Sequence, residues 1–232
     1  MPNGPRVRPR LLNSAIAILF AVGSTCFAIG TLPWYVDAVG AAADASTFFL
    51  GSIFFTSASC CQLLQAQSPG MAPGSVADAR PRIAFWAPAP TDRGWLSAAV
   101  QFPGTLAFNV STGFALVTSL TLTQTDRLVW APDFVGSILF LIASAYGIAA
   151  VSNRFFEWRS HGAWWRIAWI NMVGSIFFMA SAIGAFVLPM TGDVANARWA
   201  NVGTFAGAVC FFIGALLLLP AWRRAQSQIE ER

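Results

Sequence analysis

Six times in this chain a glycine is followed by Ser, Thr or Ala, then two mostly apolar residues and a phenylalanine, with a small residue three positions beyond. The copies occupy 23–30, 51–58, 104–111, 136–143, 174–181 and 207–214. Their glycines are Gly23, Gly51, Gly104, Gly136, Gly174 and Gly207; their phenylalanines are Phe27, Phe55, Phe108, Phe140, Phe178 and Phe211. On an α-helix the glycine, the phenylalanine four residues on and the small residue seven on share one face, because seven residues make nearly two turns. Each copy therefore describes a helix with a groove of small residues and an aromatic knob standing in it. Such faces suit lipid, where helices associate through close packing and interhelical hydrogen bonds rather than through hydrophobicity. The twelve Gly and Phe positions are read as helix-packing residues.

The surroundings of each copy fit that reading. The chain is 56% hydrophobic and 10% charged, too apolar for an ordinary soluble domain. About 20 residues cross the roughly 30 Å hydrocarbon core. Stretches at 11–33, 45–64, 95–122, 129–151, 165–189 and 200–221 reach that length, one for each copy. The first follows Arg6, Arg8 and Arg10 as a signal peptide would. Its apolar run continues to Pro33 without a small-x-small cleavage pattern at the right distance, so it reads as an uncleaved helix.

All 14 basic residues are Arg. Arg6, Arg8, Arg10, Arg80, Arg82, Arg93, Arg154, Arg159, Arg166, Arg223, Arg224 and Arg232 fall on one side of a six-span scheme, and only Arg127 and Arg198 on the other. The positive-inside rule then places both termini in the cytoplasm. The net charge of +4 marks topology, and no nucleic acid is expected as a partner. Trp34, Trp130 and Trp199 lie at predicted outer ends, and Trp95, Trp164, Trp165, Trp169 and Trp222 near inner ends, as an aromatic belt. Pro33, Pro189 and Pro220 are expected to close spans one, five and six. Pro132 is expected to open span four, with Asp133 beside it at the positive end of the helix dipole.

Span three is irregular: over 95–122 it would measure about 42 Å as a straight helix. Pro103, just before Gly104, predicts a kink with 95–102 as a tilted or interfacial section. The only long connection, 65–94, is rich in Pro, Gly and Ala and reads as an irregular cytoplasmic loop, with Ile83-Ala84-Phe85-Trp86 as a membrane-surface patch. The chain thus divides into a cytoplasmic tail (1–10), a helical pair (11–64), this loop (65–94), four further helices (95–222) and a second cytoplasmic tail (223–232).

Residues that carry chemistry are scarce. The single histidine, His161, sits in an Arg-rich connection beside Glu157 and reads as a solvated loop residue. Cys26, Cys60, Cys61 and Cys210 fall in or at the ends of spans and read as apolar packing rather than disulfides. No metal spacing, phosphate loop or nucleophile motif is present, so no catalytic residue, metal or cofactor is expected, and the chain is not read as an enzyme. No Asp, Glu, Lys or Arg lies near the centre of a predicted span, which removes the usual carriers of ion coupling. What remains is amides. Gln101 and Asn109 in span three and Asn171 in span five are the possible solute contacts, with Asn201 in span six a weaker candidate. Asn109 is the most central.

Two units carry a family resemblance: Arg127-Leu128-Val129-Trp130 leading to Gly136-Ser137-Ile138-Leu139-Phe140, and Trp169 through Gly174-Ser175-Ile176-Phe177-Phe178. They resemble the YrhK-type small membrane domain, a bacterial inner-membrane module of paired helices with a Trp…Gly-Ser…Phe pattern. The resemblance is best over 95–222 and weaker over the first two spans. It implies location and architecture, and it brings no catalytic residues.

The expectation is an all-α, polytopic transmembrane bundle of six helices built from three hairpin-like units, multi-pass in the bacterial plasma membrane. Its leading functional reading is a non-enzymatic structural or partner-binding protein, whose Gly/Phe faces pack with each other, with a second copy or with another membrane protein. The alternative is a small transporter or channel for an uncharged or lipophilic solute, which requires a continuous cavity converging on Gln101, Asn109 or Asn171. A membrane-embedded enzyme comes third, with Asp126, Asp133 and Asp193 as its only titratable candidates.

Overall fold

The repeated faces fix the architecture. The computed structural model describes residues 3–72, 80–152, 162–188 and 191–230; His161, Arg154, Arg159, Glu157, Pro189 and Arg232 lie outside the described residues. The helices are α1 (Pro9–Gly30), a short α2 (Pro33–Val39), α3 (Ala41–Gln67), α4 (Arg93–Phe114), a one-turn α5 (Leu122–Thr125), a π-turn (Asp126–Trp130), α6 (Ala131–Ser152), α7 (Ala163–Gly184) and α8 (Ala197–Glu230). Among the described residues no named strand occurs, and only two isolated β-bridges are formed.

The six long helices make a closed ring in chain order. α1 packs on α3, α3 on α4, α4 on α6, α6 on α7 and α7 on α8, and α8 returns to α1. Three antiparallel hairpins, α1/α3, α4/α6 and α7/α8, are thus related by approximate threefold repetition. α1, α4 and α7 start at the end of the ring that carries both termini; α3, α6 and α8 start at the far end.

The ring is apolar outside, and its interior mixes phenylalanines with small and hydroxyl side chains. Leu11 and Ile18 on α1, Leu50 on α3, Val110 on α4, Val135 on α6, Ile176 on α7 and Leu216 on α8 are all exposed, whereas Ser24, Ser52, Thr105, Ser137 and Ser175 are buried. A continuous apolar exterior of this extent belongs in lipid. Pro9–Gly30, Ala41–Gln67, Leu122–Ser152, Ala163–Gly184 and Ala197–Ser227 are each long and apolar enough to cross a membrane. The protein is a multi-pass integral membrane protein. α4 falls short of that measure because Gln101, Asn109 and its Ser and Thr residues dilute its hydropathy, although it occupies a full place in the ring.

Several helix ends differ from the sequence expectations. Span three does not reach 122: α4 ends at Phe114, and residues 115–120 turn before Thr121 and Gln124 form a reciprocal capping box that starts α5. The helix is continuous through Pro103, whose ring is exposed on the lipid face. Pro132 does not open span four. The helical path begins at Leu122 and enters α6 through the π-turn, in which Ala131 N–H donates to Asp126 O five residues back. The extra residue in that turn accommodates a proline that lacks an N–H and crowds the carbonyl four residues behind it. Pro220 does not close span six, since α8 continues through it to Glu230; its ring is exposed, where a membrane helix tolerates it. Pro33 opens α2 instead of ending α1.

The described parts of the long connection, 65–72 and 80–94, are more ordered than an irregular loop. Gly4 N–H donates to Ile83 O at 2.8 Å and Ile83 N–H to Pro5 O at 3.0 Å, while Gln67 Nε2 reaches Ala84 O at 2.7 Å. Ile83 and Ala84 are consequently buried under the amino-terminal segment, and only Phe85 and Trp86 remain exposed from that patch. Trp222, expected as an interfacial anchor, is 3% exposed and belongs to the interior.

Candidate functional site

Within each hairpin the Gly and Phe positions interlock reciprocally. A methyl group on Gly23 would stand 2.6 Å from Phe55 Cδ2, and one on Gly51 3.2 Å from Phe27 Cδ2. In the second hairpin Gly104 lies under Phe140 (3.0 Å) and Gly136 under Phe108 (2.8 Å). In the third, Gly174 lies under Phe211 (3.0 Å) and Gly207 under Phe178 (2.5 Å). The backbones meet as well: a methyl on Gly207 would be 3.0 Å from Gly174 O. Any side chain at these positions would push a ring or a backbone aside.

The residue after each glycine faces the neighbouring hairpin. Ser52 pairs with Thr112 at 2.9 Å across α3 and α4. Ser175 meets Ser144 at 2.9 Å and donates to Asn171 O at 2.9 Å and Phe140 O at 3.3 Å, and Ser137 donates to Phe178 O at 3.4 Å, so α6 and α7 are stitched twice. Where α8 closes on α1, Ala208 stands in place of a serine and Ser24 Oγ has no partner; among the described residues no side-chain hydrogen bond joins these two helices.

All six phenylalanines converge at the centre of the ring, none more than 8% exposed. Phe55, Phe140 and Phe211 form one triangle, with ring centroids 6.3, 5.8 and 5.5 Å apart. Phe27 and Phe108 flank Phe178 at 6.2 and 6.0 Å in a second layer, and hairpin partners join the layers at 5.4, 5.1 and 5.3 Å. Phe140 and Phe178 are the hubs, each meeting four of the other five rings.

This plug separates two cavities of about 370 Å³ each, a size typical of small-molecule sites. The cavity at the termini end is lined by Gln62, Gln65, Gln101, Asn171, Ser144, Trp95 and Trp164 among others. The far-end cavity is lined by Phe27, Phe48, Phe108, Phe178, Trp130, Asp133, Thr204 and several further hydroxyls. Their polar residues follow one rule of register. Three positions before the six glycines stand Phe20, Phe48, Gln101, Asp133, Asn171 and Thr204. Those on α1, α4 and α7 line the termini-end cavity, and those on α3, α6 and α8 line the far-end cavity.

Gln101 and Asn171 are thus brought together, with Asn171 Oδ1 lying against Gly214. Asn109 is not: it lies one position past the Phe of its repeat and lines neither cavity, and its buried Oδ1 has no partner. Asn201 lines the far-end cavity. Asp126 and Asp193 line neither. The residue missed in sequence is Asp133. The signal for it is its place on the Gly/Phe face, since positions −3, 0, +4 and +7 all point the same way. The reading of Pro132 as a helix start hid it; with the helix running back to Leu122, Asp133 is an interior residue of a spanning path. Trp130 closes the far-end cavity: its Nε1 donates to Ala182 O at 2.8 Å, and its ring stacks on Phe134 and meets Phe186 edge-on. Among the described residues no three His, Cys, Asp or Glu side chains gather as a metal site. No family model, curated protein or solved structure matches the chain, so the YrhK-type resemblance rests on its motif alone.

Proposed function

We propose that this protein is a non-enzymatic, six-span inner-membrane protein with both termini in the cytoplasm, which holds a small uncharged or lipophilic solute in its interior and passes it when the phenylalanine plug parts. The observation that carries the reading is the pair of similar cavities on one ring axis, divided only by side chains. Parting of these rings is the step that would join the two chambers. The two cavities are not continuous, so the path is closed in this structure. The six-span scheme is supported by α4's place in the ring and by the twelve-to-two division of Arg. Membership of the YrhK-type family is proposed on the motif and the hairpin repetition.

The test is osmotic swelling of proteoliposomes in urea, glycerol and erythritol, comparing the wild type with Phe140→Ala. Faster swelling for the variant, greatest with the smallest solute, is expected. Swelling no faster than protein-free liposomes for both proteins would remove the reading. A second reading, a structural bundle, is favoured by the use of every Gly/Phe face inside the chain. Docking of a second copy or another membrane protein would then fall to the apolar exterior. Intact folding with no solute entry is the outcome that selects it.

A further inference from the structure

Asp133 is the only charged side chain among the residues that line the far-end cavity. It has no hydrogen-bond or ion-pair partner among the described residues. An intramembrane carboxylate without a partner is costly, and the two usual remedies are missing here. Among the described residues no Arg reaches the cavity lining. The helix dipole offers no free N–H group at this point, because the helical path begins at Leu122 and Ala131 N–H is already bonded to Asp126 O.

Much of the rest of the lining suits a cation. The hydroxyl hydrogens are turned away into backbone: Thr31 donates to Ala28 O, Thr112 to Phe108 O and Thr125 to Thr121 O, while Ser181 and Thr204 share Ala200 O. These groups present lone pairs to the cavity, so they accept and do not donate. Trp130 has committed its N–H to Ala182 and offers only its ring, as do Phe27, Phe108 and Phe178. Acceptor oxygens, one carboxylate and several π-faces form a lining that attracts an ammonium group carrying an apolar body. They disfavour anions, and they leave Asn201 and Ser111 as the lining side chains able to donate to a neutral ligand.

We infer that the far-end cavity is a binding site for a small lipophilic ammonium ion, its charge paired with Asp133 and its apolar body against Trp130 and the outer face of the phenylalanine plug. This rests on the solute-holding reading above and narrows its substrate class at one end of the path. The termini-end cavity, walled by amides, lacks the matching carboxylate at the equivalent register.

The test is equilibrium binding to the full chain in nanodiscs, using 2-phenylethylamine, which is cationic at neutral pH, and 2-phenylethanol, its neutral counterpart of similar shape. The wild type is expected to favour the ammonium. Asp133→Asn, which keeps shape and removes charge, should weaken the ammonium roughly thirtyfold while leaving the alcohol unchanged. Asp133→Glu should restore part of the loss. Equal or stronger binding of the alcohol by the wild type would overturn the inference without any variant, as would an unchanged ammonium affinity in a folded Asp133→Asn protein. Solute entry in the swelling assay, with no preference for 2-phenylethylamine in the binding assay, sinks this inference alone. No entry and no binding of either probe sinks both.

Discussion

The first hairpin and the two that follow share one packing register but furnish the interior differently. In α1/α3 the residues three before the glycines are Phe20 and Phe48; in α4/α6 they are Gln101 and Asp133, and in α7/α8 Asn171 and Thr204. The glycine, its successor and the phenylalanine carry the fold, since they touch helix, neighbour and plug in all three units. The position three before the glycine lines one of the cavities in all three units. It is therefore free to differ, and the threefold scaffold acquires a polar wall on two sides and an aromatic wall on the third. The seams differ in the same sense. α3/α4 and α6/α7 are joined by hydroxyls, whereas α8/α1 closes on shape alone.

The largest effect expected from this division separates plug from wall. Phe140→Ala removes one of the two hub rings and should cost about 3–5 kcal/mol, as large-to-small changes in a packed core do. Phe48→Ala removes a half-buried wall ring that meets Phe27 at 5.8 Å and should cost clearly less. Unfolding in mixed micelles reads both, and equal losses would dissolve the distinction between plug and wall.

A smaller effect tests whether close approach at the glycines is required. Gly207→Ala places a methyl against Phe178 and Gly174 O and should cost about 1–3 kcal/mol by overpacking. Gly147→Ala, also in a helix, meets only Ser97 Oγ at 3.4 Å and should be neutral or mildly stabilising, because alanine is the better helix former. If both behave alike in the same unfolding experiment, the repeat glycines have no special packing role.

What could be read in advance follows from what each signal depends on. The Gly/Phe face is legible because Cβ directions on a helix depend only on spacing, so residues 0, +4 and +7 share a side in any surroundings. Which phenylalanine covers which glycine depends on the antiparallel order within hairpins, which spacing does not specify. Proline was the misleading signal. Pro103 and Pro220 stand inside continuous helices, and Pro132 follows a π-turn instead of starting a helix. In lipid nothing competes for the backbone, so a proline at the exterior bends or bulges a helix where in water it would end one. That misreading moved Asp133 from the interior to a helix end, and with it the one charge in the far-end cavity. Asn109 shows the opposite error: centrality along a span does not place a side chain inside the ring, and its position one past the phenylalanine turns it off the shared face.

The smallest effect, and the sharpest in sign, concerns the seams. Ser175 sits between α7 and α6 with a hydroxyl partner and a neighbouring carbonyl, so Ser175→Ala should cost about 0.6–1.7 kcal/mol, the range of interhelical hydrogen bonds in membranes. Ser24 occupies the same register on α1 and is equally buried, yet its hydroxyl has no partner, so Ser24→Ala removes an unsatisfied group and should be neutral or stabilising by up to about 1 kcal/mol. The two substitutions delete the same atom at equivalent places in one repeat, so helix propensity and volume cancel and only the seam differs. A loss at Ser24 as large as at Ser175 would mean that α8 and α1 are joined by a bond after all. The opposite signs would leave the α8/α1 contact as the seam where the ring parts first, since there separation breaks packing but no hydrogen bond.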